Sequence, residues 1–300
     1  MTSRRALTLT AIIIWAAVAV TAAPKAFSHR HPLATLGAAS SSAESCSAQQ
    51  FHFDDHEAVV QTEEKSISKS EAPTLRVRGD ANGGVYVEGW DKDNYSVTLC
   101  KAAESGPDAD AILSQTHLVL NGGELRISTP SSNDRWGTHL LIRAPKAATL
   151  DVVIDNGPLT LTHVDGNVKV HAQNGPVTVS GCSGELDLSA QNGPVTLEEN
   201  SGKQTVHAQN GPLTLSLSGN SWSGSGLEAR TTNGPVTLQI PSGYQSGVML
   251  EAQGSSPFQC RAAVCSEGRK TWDDNDRRVE FGAGTPVVRI STENGPVSVR

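Results

Sequence analysis

Apolar and polar residues alternate strictly in the middle of the chain. Leu159, Thr160 and Leu161 follow Asn156-Gly157-Pro158; Val177, Thr178 and Val179 follow Asn174-Gly175-Pro176; Val195, Thr196 and Leu197 follow Asn192-Gly193-Pro194. A period of two marks a strand with one buried face. Each unit then carries a second alternating run. In it Val170, Leu188 and Val206 point one way, with Ala172, Ala190 and Ala208, while Lys169, Asp187 and Thr205 point the other. A glycine stands between the two runs at a constant offset: Gly166, Gly184 or Gly202. Each unit therefore predicts strand, turn, strand, turn.

Asn-Gly-Pro occurs six times, beginning at Asn156, Asn174, Asn192, Asn210, Asn233 and Asn294; the first three intervals are 18 residues and the fourth is 23. Two strands this short cannot bury an apolar face alone, so units repeated at a fixed period must stack. Each coil would add about 4.8 Å, the spacing of paired strands, and equivalent side chains would line up in columns. The alternation and the recurrent Gly-Pro exclude helices. A meander of antiparallel hairpins competes, but it would not require an identical 18-residue phase. The fold class expected is all-β: a β-solenoid of stacked two-strand coils, with an irregular N-terminal β cap.

The corner tripeptide has a physical rationale. Asn and Gly tolerate positive φ, so together they turn the chain sharply. Pro fixes φ where the next strand begins and a missing N–H is tolerated. Asn156, Asn174, Asn192, Asn210, Asn233 and Asn294 are expected to form a structural ladder of amides along that corner, as Asn ladders do in cross-β assemblies. Gln173, Gln191 and Gln209 would form a second column. Around the regular units, Leu75, Val77, Val85, Val87, Val97 and Leu99 alternate with polar residues, and His117 to Ser128 predicts a strand pair about Asn121-Gly122-Gly123. Gly254 to Arg278 breaks the pattern and reads as a loop insertion.

The N-terminus adds a compartment. Arg4 and Arg5 precede an uncharged run from Ala6 to Ala23 that ends in small residues. This reads as a secretory signal over residues 1–22; the alternative is an uncleaved anchor. Residues 23–72, rich in Ser, Ala and Glu, read as a flexible leader, and 73–300 as the folded domain. His52, Asp54, Asp55, His56 and Glu57 are metal-ligand types close together, yet without a rigid scaffold they read as a solvated acidic patch. The net charge of −7 disfavours nucleic acid as a partner, because affinity there comes from Lys and Arg on phosphates.

Gly84-Val85-Tyr86-Val87-Glu88-Gly89-Trp90-Asp91, Leu141-Ile142-Arg143-Ala144-Pro145-Lys146 and the iterated Asn-Gly-Pro-x-Thr-x, with Gly ten residues after Asn156, Asn174 and Asn192, together resemble the bacterial "putative adhesin" β-solenoid family. The likeness spans about Pro73 to Arg300. It implies a stack of short strands, exported or held at the envelope, and it transfers no catalytic residue. The Pro after nearly every Asn-Gly and the insertion with two cysteines depart from the family pattern.

Candidate chemistry is sparse. In an oxidising compartment Cys260 and Cys265 are placed to staple the insertion; Cys46 and Cys100 are open to pairing, and the odd total of five cysteines leaves at least one thiol unpaired or intermolecular. Cys182 stands where the neighbouring unit has Val164 and reads as a small buried hydrophobe. His171 and His207 share a column two coils apart, about 9.5 Å, too far for one shared zinc ion. A glycosidase needs two carboxyls within about 10 Å, so two or more of Asp187, Glu198, Glu199, Asp273, Asp274 and Asp276 would have to converge in one cleft. The Thr160, Thr178, Thr196, Thr214 and Thr237 column suggests ice binding, but its companion column is broken by Glu198.

The expected function is that of a non-enzymatic exported envelope or surface protein, located in the periplasm, on the cell surface or secreted. It would act by binding or scaffolding toward a glycan or protein ligand. No cofactor or metal is expected, and membrane contact only through an uncleaved N-terminal segment. The alternative is a carbohydrate-active enzyme on a β-helix-like frame.

Overall fold

A computed structural model describes residues 46–47, 50–53, 56–79, 83–130, 135–254, 256–272 and 276–300. The expected signal over 1–22 lies outside the described residues, as do Asp54, Asp55, Asp273 and Asp274. The N-terminal part holds β1 (Ala58–Ser68), β2 (Thr74–Gly79), β3 (Gly83–Trp90), β4 (Asn94–Glu104), α1 (Ala109–Gln115), β5 (His117–Asn121), β6 (Glu124–Ser128) and β7 (Trp136–Pro145). The regular part follows with β8 (Thr149–Asn156), β9 (Leu159–Thr162), β10 (Asn167–Asn174), β11 (Val177–Ser180), β12 (Glu185–Asn192), β13 (Val195–Glu198), β14 (Lys203–Asn210), β15 (Leu213–Ser216), β16 (Gly226–Asn233) and β17 (Val236–Gln239). The chain ends with β18 (Ser246–Gln253), β19 (Phe258–Cys260), β20 (Arg269–Trp272), β21 (Asp276–Phe281), β22 (Ala283–Asn294) and β23 (Val297–Val299).

These strands form two large, mostly parallel sheets. One runs β1-β4-β7-β3-β9-β11-β13-β15-β17-β23-β19 and the other β20-β21-β18-β22-β16-β14-β12-β10-β8-β2-β6-β5. At each Asn-Gly-Pro the chain crosses from the long-strand sheet to the short-strand sheet. Neighbouring strands pair in parallel with like beside like: Val170 beside Leu188, Thr178 beside Thr196, Asn192 beside Asn210. Antiparallel pairs stand toward the two ends, in β1/β4, β4/β7, β5/β6, β18/β21 and β20/β21.

The alternation decides which face each residue joins. Leu159, Leu161, Val177, Val179, Val195 and Leu197 are buried from the short strands, and Val152, Val170, Leu188 and Val206 from the long ones; all belong to one apolar cluster. The corner glycines explain how closely the rungs approach. Gly175 (φ 141°) and Gly193 (φ 131°) have backbone that disfavours any Cβ, and a methyl on either would land on the carbonyl oxygen of the glycine one rung before.

Two segments differ from the sequence reading. Ala58–Ser68 falls within the expected leader yet forms β1, paired along its whole length with β4. Its side chains alternate only weakly, with Ile67 alone fully buried, so backbone pairing rather than an apolar face defines it. The stretch read as a loop insertion contains β19, β20 and the start of β21. All four residues of β20 are exposed, which removes the alternation that marks a strand.

The short helix α1 sits against β4. Lys101 in β4 is buried, and its Nζ donates to the carbonyl oxygens of Leu113 and Thr116, both at 2.8 Å. A buried ammonium is tolerable only when its donors are satisfied in this way. Among the described residues no helix is long and apolar enough to cross a membrane.

Candidate functional site

The six corner asparagines stand one above another in register. Nδ2 of Asn174 donates to Oδ1 of Asn156 at 3.0 Å, and Asn192 and Asn210 repeat the bond at 3.0 Å each. Asn233 donates to Asn210 at 2.9 Å and Asn294 to Asn233 at 3.1 Å. Every amide in the column points the same way. Beside them the backbone N–H of Gly175 donates to the Asn192 carbonyl at 2.9 Å, and equivalent bonds recur up the stack.

Disulfides join Cys46 to Cys100 and Cys260 to Cys265, with Cα atoms 5.4 and 5.8 Å apart. Cys182 is a buried free thiol, pushed up to about 11 chiefly by burial. A thiol so far from its thiolate form is a poor nucleophile. The next rung places Asn200 at that inward corner. Its Oδ1 accepts from the Cys182 N–H at 2.8 Å and its Nδ2 donates to the Val179 carbonyl at 2.9 Å.

Among the described residues, the carboxylates of the enzymatic alternative stand on three separate parts of the fold. Asp187 lies in β12 beside Lys169, Glu198 ends β13 in the other sheet, Glu199 follows it with φ 53°, and Asp276 opens β21. His171, Ser189 and His207 occupy successive rungs of one column. None of these residues lines either of two surface concavities, one at Gln253, Gly254, Ser256, Pro257, Glu293 and Asn294, the other on the short-strand sheet.

The second concavity, of about 480 Å³, is built on the outward face of β1, β4, β7 and β3. Thr62 and Glu64 come from β1, Ser96 and Thr98 from β4, Leu141 and Arg143 from β7, Tyr86 and Glu88 from β3. Register brings them together: Glu64 faces Thr98, Thr98 faces Leu141, Leu141 faces Tyr86, and Tyr86 faces Thr160. Arg143 Nε lies 3.7 Å from Glu88 Oε2. Tyr86 Oη is 3.5 Å from Thr162 Oγ1.

Cys46, tied to Cys100, lines the concavity. Phe51 stacks on His139 with ring centres 4.6 Å apart and joins Cys100 and Ala102 in a small apolar cluster on this face. His139 Nδ1 accepts from the Gly84 N–H at 3.3 Å, leaving Nε2 facing the Gln50 carbonyl at 3.5 Å. Burial holds this imidazole below the ordinary histidine range, against a smaller opposing effect of the Gln50 carbonyl. Protonation would also place a donor against the Gly84 donor.

No protein-family model matches the chain, and no curated protein matches it. Among solved structures it is similar to one described as a putative cell adhesion protein from Clostridium sporogenes, at 12% identity over 80% of this chain and 99% of that one, with a TM-score of 0.34. A putative adhesin from Bacteroides fragilis is similar at 13% identity over 80% and 96%, with a TM-score of 0.30. A structure described as a putative lipid binding protein from Parabacteroides distasonis is similar at 12% identity over 80% and 97%, with a TM-score of 0.32.

Proposed function

We propose that this chain is an exported, non-enzymatic protein of the envelope or surface, acting as a binding or scaffolding module. In this reading residues 1–22 direct export, 73–300 form a β-solenoid of stacked 18-residue units, and the corner asparagines stabilise the stack rather than bind a ligand. The observation that carries it is the arrangement of outward side chains. They run in continuous polar columns, such as Thr160, Thr178, Thr196, Thr214 and Thr237 along adjacent short strands. Asp187 and Glu198, two of the carboxylates that the enzymatic alternative names, belong to different sheets, which does not favour their acting together at one glycosidic bond. Long, repeated, hydrogen-bonding surfaces on a rigid frame suit recognition of an extended partner.

The test is a pull-down of cell-envelope material with the mature, disulfide-bonded chain, run beside a broad hydrolase and lyase screen. Specific capture with no turnover is expected. Turnover that a point mutation abolishes would overturn the reading.

A further inference from the structure

The concavity on β1, β4, β7 and β3 carries a set of groups whose chemistry selects a ligand class. Resting on the reading above that the chain is a binding module, we propose that this concavity binds a neutral carbohydrate with vicinal hydroxyls, its ring seated on Tyr86 and its hydroxyls held by Glu88 and Arg143.

The posture of Tyr86 is the first ground. Its residue faces Thr160 across the strand pair, yet its hydroxyl is 3.5 Å from Thr162, two residues further along. A tyrosine standing off the sheet would carry its hydroxyl well above a threonine hydroxyl. The side chain therefore leans over the sheet toward β9 rather than standing off it, a posture in which a flat apolar ring face would be offered to the C–H face of a pyranose. Aromatic rings with a wet polar tip serve such mixed surfaces.

The second ground is the pairing beside it. Glu88 and Arg143 stand at 3.7 Å, longer than the roughly 2.7–2.9 Å of a tight charge-assisted bond. Both groups are about half exposed or less, at 37% and 45%. They keep unused acceptor and donor capacity side by side, the pattern that two adjacent sugar hydroxyls match. Thr62, Ser96 and Thr98 add hydroxyls around the rim.

The third ground is charge. Glu64 and Glu88 outnumber Arg143 in the lining, so a carboxylate, sulfate or phosphate ligand would meet net repulsion. The volume falls in the range of small-molecule sites, roughly 300–1,000 Å³. Tyr86 pairs in register with Thr160, and Thr160 with Thr178, so the outward threonine column begins beside the concavity and would extend the surface for a chain rather than a single sugar.

The experiment is titration calorimetry of the mature, disulfide-bonded chain with oligomers of glucose, galactose, mannose and N-acetylglucosamine, and with oligogalacturonate and heparin fragments. Binding to at least one neutral series is expected. Tyr86→Ala should weaken it about tenfold and Arg143→Gln comparably, while Tyr86→Trp keeps it; circular dichroism checks that each variant folds. Binding confined to the anionic fragments, or neutral binding unmoved by both Tyr86→Ala and Arg143→Gln, would overturn the proposal. Absence of all glycan binding while the envelope pull-down still captures a partner would overturn it and leave the binding-module reading standing. Failure of both assays would sink the two together.

Discussion

Gly193 offers the sharpest separation of stacking from ordinary turn chemistry. Its φ is 131°, and a methyl there would strike the Gly175 carbonyl one rung away. Gly219 also has positive φ, at 63°, but a methyl there would meet nothing within 4 Å. Backbone strain on replacing either glycine by alanine costs about 1–3 kcal/mol, partly offset by about 0.4–1 kcal/mol from a stiffer unfolded chain. For Gly219→Ala that is the whole effect, about 1 kcal/mol. In Gly193→Ala the struck atom is backbone and cannot rotate aside, so the two rungs must part. That endangers the bonds from the Gly175 N–H to the Asn192 carbonyl and from the Val177 N–H to the Pro194 carbonyl, both 2.9 Å. Each contributes about 0.5–1.5 kcal/mol net, and local packing is lost as well. The expected destabilisation is about 3–5 kcal/mol. Denaturant unfolding at 25 °C, followed by circular dichroism with disulfides intact, measures both variants. Equal losses would refute the claim that the rungs touch at this corner.

Other expectations follow from single residues. Asn192→Ala removes its amide bonds to both Asn174 and Asn210; denaturant titration should show a loss of about 1–2 kcal/mol, since each exposed bond contributes about 0.5–1, and no loss would leave the ladder without a stabilising role. The Cys182 thiol, held near 11 by burial, should resist a thiol reagent at pH 8 until the chain is unfolded; rapid stoichiometric labelling of the native protein would contradict its burial. For His139 the folded value lies below the unfolded one, about 6.5, so the unfolded state takes up the proton first. Stability from the neutral imidazole is therefore complete above about pH 6.5 and drains away as pH falls through the depressed folded value. The wild type should lose more thermal stability than His139→Gln between pH 7 and 5; identical pH slopes would count against the buried neutral ring.

Strands were legible wherever an apolar face carries them. Leu159 and Leu161 flank Thr160 because one face is core and the other is not, and β9 has that burial. The turn at Asn121-Gly122-Gly123 was legible because both glycines take positive φ, 55° and 79°, a role few other residues fill. β1 was not, since Gln61, Thr62, Glu63 and Glu64 give no alternation and its position comes from backbone pairing with β4, across the whole of β2 and β3 in sequence. The concavity was invisible for a related reason. Glu64, Tyr86, Glu88 and Arg143 arrive on β1, β3 and β7, and only sheet order sets them side by side. Tyr86 and Arg143 stood out in the sequence solely within segments resembling a family. Phe51 on His139 joins positions 88 residues apart through one ring contact, which leaves no periodic trace.

Spin labels along one outward column measure the stacking most directly. Lys169 pairs in register with Asp187, Asp187 with Thr205, Thr205 with Glu228, and Glu228 with Arg289. Double-cysteine variants joining Lys169 to each of the other four should give backbone separations of about 5, 10, 14 and 19 Å, one strand spacing per rung. Distances rising by equal steps, while sequence separation jumps unevenly, are the predicted result. Distances that follow sequence separation instead, or that fall back between alternate pairs as in a meander, would contradict the account.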